Sequence, residues 1–147
     1  LNATAADTSL RSLVQMRARR GLATVLTPHP LEAARLLDCG SPEVQSNRLA
    51  AVQQLADDLA CTVVLKGSGT LIATPGEAPA LNLTGNARLG TAGTGDVLAG
   101  LIGARLAGGA APFQAACAAV YQHGEAADAW PCEEALTAGA LARRLRD

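Results

Sequence analysis

The sequence predicts an α/β fold with a largely parallel sheet. Strand-like and helix-like segments alternate through the first two-thirds of the chain. Cys61-Thr62-Val63-Val64-Leu65 is a nearly continuous apolar run, the pattern of a strand covered on both faces. The last third reads as successive helices rich in Ala and Gly, which lets helices pack closely.

Residues 4–20 read as a helix whose end carries Arg17, Arg19 and Arg20 and then stops at Gly21. The arginines suit a solvated C-terminus, where cations favour the helix dipole. Residues 23–27 form a short strand ended by Pro28-His29-Pro30, and residues 31–38 a short helix with Leu36 and Leu37 inward. Ser41, Pro42 and Glu43 supply an N-cap, a proline at the first position and an acidic first turn. The helix that follows places Leu49, Val52, Leu55, Ala56 and Leu59 on one stripe. Strand 61–65 comes next, then a turn at Lys66-Gly67-Ser68-Gly69 and a strand over 70–74. After Pro75-Gly76-Glu77, residues 80–83 are a third strand candidate. A Gly-rich loop spans 85–95, and a helix follows from about Asp96 to Leu106, with Val97, Leu98, Leu101 and Ile102 inward. Residues 112–130 and 133–146 complete the helices.

Composition narrows the function. The chain has 147 residues, 49% of them hydrophobic, with a net charge of −1. That length suits one core-forming domain and argues against disorder. No apolar run approaches the roughly 18 residues of a membrane span. Balanced charge argues against a basic nucleic-acid-binding face, and one Phe, one Tyr and one Trp make a base-stacking platform improbable. Cys39, Cys61, Cys117 and Cys132 are far apart, with no CxxC pair and no zinc spacing. Cys61 and Cys117 read as small buried hydrophobes, and a reducing cytoplasm is the expected setting. The chain opens at Leu1-Asn2-Ala3, without Met and without a basic-then-apolar signal segment.

Three stretches carry chemistry. Gly90-Thr91-Ala92-Gly93-Thr94-Gly95-Asp96 is a glycine-dense loop running into a helix. Unpaired N–H groups at a helix start, approached closely past glycines, suit an anion. Asp96 repels a phosphate, so it either takes a proton from a hydroxyl that attacks one or only caps the helix. Neither a Walker loop nor a Rossmann fingerprint is present. The second stretch is Lys66-Gly67-Ser68-Gly69-Thr70. Lys66 is the single Lys among 12 basic residues. It either meets a phosphate as a compact point charge or is a solvated residue of a hairpin turn. In the third, Thr27-Pro28-His29-Pro30-Leu31-Glu32, the imidazole lies at the carboxyl end of a strand, the ligand edge of open α/β sheets. It hydrogen-bonds a ligand or caps the next helix. His123, inside a helix, reads as structural.

In this order the stretches resemble the ADP/ATP-dependent NAD(P)H-hydrate dehydratase family of the ribokinase-like superfamily. Thr27-Pro28-His29-Pro30-Leu31-Glu32 corresponds to T-P-H-x-G-E, and Val63-Val64-Leu65-Lys66-Gly67-Ser68-Gly69-Thr70 to V-x-L-K-G-x-G-T. Gly85-Asn86 through Gly95-Asp96-Val97-Leu98-Ala99-Gly100 corresponds to the closing glycine-rich motif. The resemblance implies a three-layer α/β/α architecture. It also implies a reaction in which a nucleotide phosphorylates the C6 hydroxyl of a hydrated nicotinamide ring and loss of phosphate restores NAD(P)H. Asp96 would be the base on that hydroxyl. The backbone of Gly93, Thr94 and Gly95 would hold the transferred phosphate. Lys66, Gly67, Ser68, Gly69, Thr70 and Gly95 would contact ADP or ATP, His29 the hydrate, and Mg2+ would bridge the phosphates. Partner proteins would be a homo-oligomer mate and an NAD(P)H-hydrate epimerase domain. Leu31 stands where the family has Gly, Arg88 where Gly is common, and Ala92 where Gly is usual; a position needing positive φ would suffer from the last change. The family domain is about twice as long, so residues 1–147 are expected to be its C-terminal part. Two other readings stand beside it: a ribokinase-like small-molecule kinase of the hydroxyethylthiazole type, which shares the Gly-Asp loop but not the Thr-Pro-His stretch, and a truncated or degenerate domain that binds nucleotide without turnover.

Overall fold

The computed structural model describes residues 8–145. The chain runs α1 (Thr8–Arg19), β1 (Val25–Leu26), α2 (Pro30–Leu37), α3 (Ser41–Ser46), α4 (Arg48–Leu59), β2 (Thr62–Leu65), β3 (Leu71–Ala73), β4 (Ala80–Leu81), a 3-10 turn (Ala87–Gly90), α5 (Thr94–Ala107), α6 (Pro112–Asp128) and α7 (Ala138–Arg144). The expected helix over 4–20 is present from Thr8, and its residues 4–7 lie outside the described residues, as does residue 146 of the expected last helix.

The sheet has the order β1-β2-β3-β4. All of β2 is buried, as its apolar run requires, and alternate side chains serve opposite layers. Val63 and Leu65 pack with Leu36, Val52, Leu55 and Leu59 of α2 and α4. Val64 packs with Ile72 of β3 and with Leu98, Ile102, Ala116, Ala119 and Val120 of α5 and α6. The result is three layers, with α2–α4 on one face and α5–α6 on the other. A third cluster, Ala127, Trp130, Leu136 and Leu141, fastens α7 to the end of α6.

Several expectations need correction. The sheet is mixed: β1 pairs with β2 in parallel, but β2–β3 and β3–β4 are antiparallel. The connection Lys66–Thr70 is too short for the crossover that parallel strands need, so it closes a hairpin instead. The helix expected from Ser41 through Leu59 is two helices. Gly40, not Ser41, is the N-cap of α3. The chain breaks at Asn47, which leaves helical dihedrals (φ −145°, ψ 68°) and re-caps α4 by accepting from the Ala50 amide at 3.2 Å. Leu49 in the first turn of α4 is 54% exposed, whereas Val52, Leu55, Ala56 and Leu59 are buried as the stripe predicts. Strand candidate 80–83 reduces to Ala80–Leu81, and Leu83 is 86% exposed. The last helix starts at Ala138 rather than 133, after Thr137 caps it through the Ala140 amide. No helix among the described residues is long and apolar enough to cross a membrane.

Candidate functional site

The ends of β1 and β2 and the start of α5 meet at one cleft of about 1120 Å³. Its lining includes His29 and Glu32, all of Lys66 through Thr70, and Gly93 through Asp96. Three stretches spread over some 70 residues of sequence therefore share one wall. Two contacts fix their spacing. The Lys66 amide donates to the Pro28 carbonyl at 2.9 Å, continuing the β1–β2 ladder past the strands. A side chain at Gly95 would place its Cβ 3.2 Å from Lys66 Nζ, so the ammonium lies against the first turn of α5. Glycine at 95 leaves room for that cation.

The α5 start is built for an anion. Gly93 is its N-cap at φ 85°, a left-handed conformation in which a Cβ would also come within 3.0 Å of Ala138 Cβ. Thr94 is buried, and its hydroxyl lies within hydrogen-bond distance of the Leu89 and Thr91 carbonyls at 2.6 and 2.8 Å. Its side chain thus faces inward while the backbone stays at the cleft. Beneath it, buried His123 donates from Nε2 to the Thr94 carbonyl at 2.9 Å. Burial lowers the pKa of His123 from its ordinary 6.5, against a smaller raising effect from that hydrogen bond, so the ring is the neutral Nε2–H tautomer near pH 7. Asp96, in the first turn, is exposed and lines the cleft.

His29 proves to be a cap whose ring also borders the cleft. Its Nδ1 accepts from the Glu32 amide at 3.3 Å while Glu32 Oε2 accepts from the His29 amide at 2.9 Å, a reciprocal capping box on α2. Nε2 lies 3.5 Å from Glu32 Oε2, and the side chain is 47% exposed. Glu32 therefore orients the ring as well as placing a carboxylate in the first turn of α2.

Motif spacing did not single out the residues that hold these stretches in place. Arg48, first residue of α4, donates to the carbonyls of Leu65 at 3.2 Å, Lys66 at 3.3 Å and Ser68. The sequence carried no signal for it, because Arg48 reads as a mid-helix residue until Asn47 re-caps α4. Asp128 receives hydrogen bonds from the Gly85 amide at 2.7 Å and from Asn86 Nδ2 at 3.0 Å, tying the Gly-rich loop to α6. Arg88 reaches the carbonyls of Trp130, Pro131 and Cys132, so its side chain braces the Gly-rich loop against the segment after α6. Among the described residues only Asp38 and Ala60 are non-glycines with positive φ, so Ala92 meets no backbone strain. Leu31 is 48% exposed.

No cysteine among the described residues lines the cleft. Burial pushes the Cys61 thiol up to about 11 and raises Cys117 as well. Those two thiols are packing groups. No cluster of three or more His, Cys, Asp or Glu among the described residues could hold a metal ion.

Residues 6–147 match the family model described as NAD(P)H-hydrate dehydratase. The ADP-dependent (S)-NAD(P)H-hydrate dehydratase of Neisseria meningitidis is 46% identical over 145 residues, 99% of this chain and 48% of that protein. The bifunctional NAD(P)H-hydrate repair enzyme of Escherichia coli is 46% identical over 104 residues, 71% of this chain and 20% of that protein. Among solved structures, the ADP/ATP-dependent NAD(P)H-hydrate dehydratase of Bacillus subtilis, co-crystallised with ATP and Mg2+, superposes with a TM-score of 0.78 at 38% identity. The match covers 84% of this chain and 46% of that one. The chain thus spans about half or less of the length of these relatives. With the three motifs on one cleft and the family model matched across nearly all of its length, the chain belongs to the NAD(P)H-hydrate dehydratase family.

Proposed function

We propose that the protein carrying this chain is an ADP- or ATP-dependent dehydratase that returns (S)-NAD(P)H hydrate to NAD(P)H, and that this chain supplies the nucleotide-side wall and the base. The observation that carries the reading is the meeting of Lys66, the glycine-lined start of α5 and Asp96 at one cleft. Amides and dipole at the helix start attract phosphate, and Lys66 adds a compact charge at the same place. A carboxylate there is a cost to phosphate binding unless it acts on a proton. Asp96 accepts the proton of the C6 hydroxyl as that oxygen attacks the terminal phosphorus of the nucleotide, and the shortened nucleotide leaves. Loss of the resulting phosphate from C6, followed by loss of a ring proton, restores the nicotinamide double bond. His29, held by Glu32, presents its exposed ring edge toward the hydrate.

The donor set fits a Mg2+ ion carried on phosphate oxygens rather than in a protein cage, since Glu32 and Asp96 are the carboxylates of the cleft wall. That ion would neutralise charge on the transferring group. A relative named as a bifunctional NAD(P)H-hydrate repair enzyme supports a second repair activity working beside this one, which we take to be an epimerase domain, and exposed Ala-rich helix surfaces would suit a homo-oligomer.

The test is a coupled assay on the full-length polypeptide that bears this sequence, with NADPH hydrate and either ADP or ATP. Return of the reduced-nicotinamide absorbance is expected. Nucleotide consumption without it would indicate a small-molecule kinase instead. Asp96→Ala should lower turnover by about 10²–10⁴-fold, the span of a lost general base, with nucleotide affinity retained. Near-parental turnover in that variant would remove Asp96 from the role of base.

A further inference from the structure

We infer that Arg48 is a positioning residue for nucleotide binding, setting which way the Lys66–Thr70 turn presents its backbone; the inference rests on the nucleotide reading of the cleft. Arg48 touches none of the residues expected to react. It approaches the turn from behind, and its guanidinium draws toward itself the carbonyls of Leu65, Lys66 and Ser68, 17 to 20 residues later in sequence. In a trans peptide the carbonyl and the following N–H point in opposite directions. The Gly67 and Gly69 amides, which follow Lys66 and Ser68, therefore point away from Arg48, and both glycines line the cleft.

That orientation matters for an anion. Without a cation behind it, a turn of this kind is free to rotate its peptide planes and offer carbonyl oxygens to the cleft, which would repel phosphate. With three carbonyls engaged by one planar fork, the donors are held before the ligand arrives. Gly67 shows how close the fork sits: a Cβ there would lie 3.1 Å from Arg48 Nη2. Arg48 Nε is buried without a hydrogen-bond partner, so the head group is placed to serve the turn and not all of its own donors. A lysine could not reproduce the arrangement, since one ammonium lacks the spread of the two guanidinium nitrogens.

The experiment compares Arg48→Met and Arg48→Lys with the parent in the full-length polypeptide. It measures ADP and ATP affinity by calorimetry, the Michaelis constants for nucleotide and for hydrate, and thermal stability. Expected is a rise of about tenfold or more in nucleotide Kd and nucleotide KM for Arg48→Met. A smaller rise is expected for Arg48→Lys, with the hydrate KM unchanged in both. A merely structural arginine would lower the melting temperature without separating the two Michaelis constants. Parental nucleotide affinity in whichever variant folds overturns the assignment. Failure of the parent to bind ADP or ATP would instead sink the nucleotide reading on which it rests.

Discussion

The two turns that border the cleft are held by opposite means. The Gly93–Asp96 turn is built locally: Gly93 takes a left-handed φ, Thr94 folds its hydroxyl onto Leu89 and Thr91, and α5 supplies the dipole. Among the described residues, only His123 sends a hydrogen bond in from outside, to one carbonyl. The Lys66–Thr70 turn has a hydroxyl bond of its own, Thr70 to the Gly67 carbonyl at 3.0 Å, but three of its neighbouring carbonyls depend on Arg48 of α4. A turn that begins a long helix inherits its donors from the helix. A turn between two short strands has no such source, and here a guanidinium stands behind it.

The contrast predicts a division of labour, with charge from the strand turn and base from the helix start. Lys66→Met tests it most strongly. Loss of a charge-assisted contact worth about 1.5–3 kcal/mol should raise the nucleotide Kd by roughly 10–100-fold, with turnover at saturating nucleotide much less affected. Asp96→Ala should do the reverse. If Lys66→Met lowered turnover and left the affinity alone, the two turns would not be separate in function.

The next prediction concerns how rigidly the helix start is specified. Gly93→Ala imposes a left-handed residue with a side chain and drives its Cβ to within 3.0 Å of Ala138 Cβ. A stability loss of about 1–2 kcal/mol in denaturant unfolding is expected from the backbone alone. Gly100→Ala in the same helix meets nothing within 4 Å and should instead stabilise by about 0.5–1 kcal/mol. Equal effects at the two sites would mean that Gly93 is an ordinary glycine.

The same contrast explains what could be read from residues alone. The helix start was legible because its determinants are neighbours in sequence: glycines, an acidic first turn and an apolar stripe. β2 was legible because burial on both faces writes itself as an apolar run. His29 left two readings open; the structure shows the cap on α2, and the ligand contact stays a proposal for a ring that also borders the cleft. The pairing of β2 with β3 was readable too, because the connection Lys66–Thr70 is too short for a crossover. Arg48 and Arg88 were not legible. Their roles exist only once α4 lies behind β2 and once the α6–α7 connection lies beside the Gly-rich loop, 42–44 residues from Arg88. Asn47 hid the first of these: a single capping side chain split an expected helix and put Arg48 at a new N-terminus.

The smallest expected effect tests the support that His123 gives the helix start. His123 is neutral in the folded protein, and burial depresses its pKa below the ordinary 6.5. Below pH 6.5 the unfolded chain therefore binds a proton that the folded chain resists. The support of neutral His123 is complete above pH 6.5 and is lost as pH falls through the lower folded value, with a slope no steeper than about 1.4 kcal/mol per pH unit for one proton. Protonation adds a donor at Nδ1 but does not remove the Nε2 bond to Thr94, so the loss comes from burying charge and not from breaking the contact. His123→Gln keeps an N–H donor and cannot titrate. Its unfolding free energy, measured from pH 7.5 down to pH 5 (roughly one unit either side of the ordinary imidazole value), should therefore lack that part of the slope seen in the parent. An unchanged slope would show that acid sensitivity arises elsewhere, and that the helix start is as self-sufficient as its local bonds suggest.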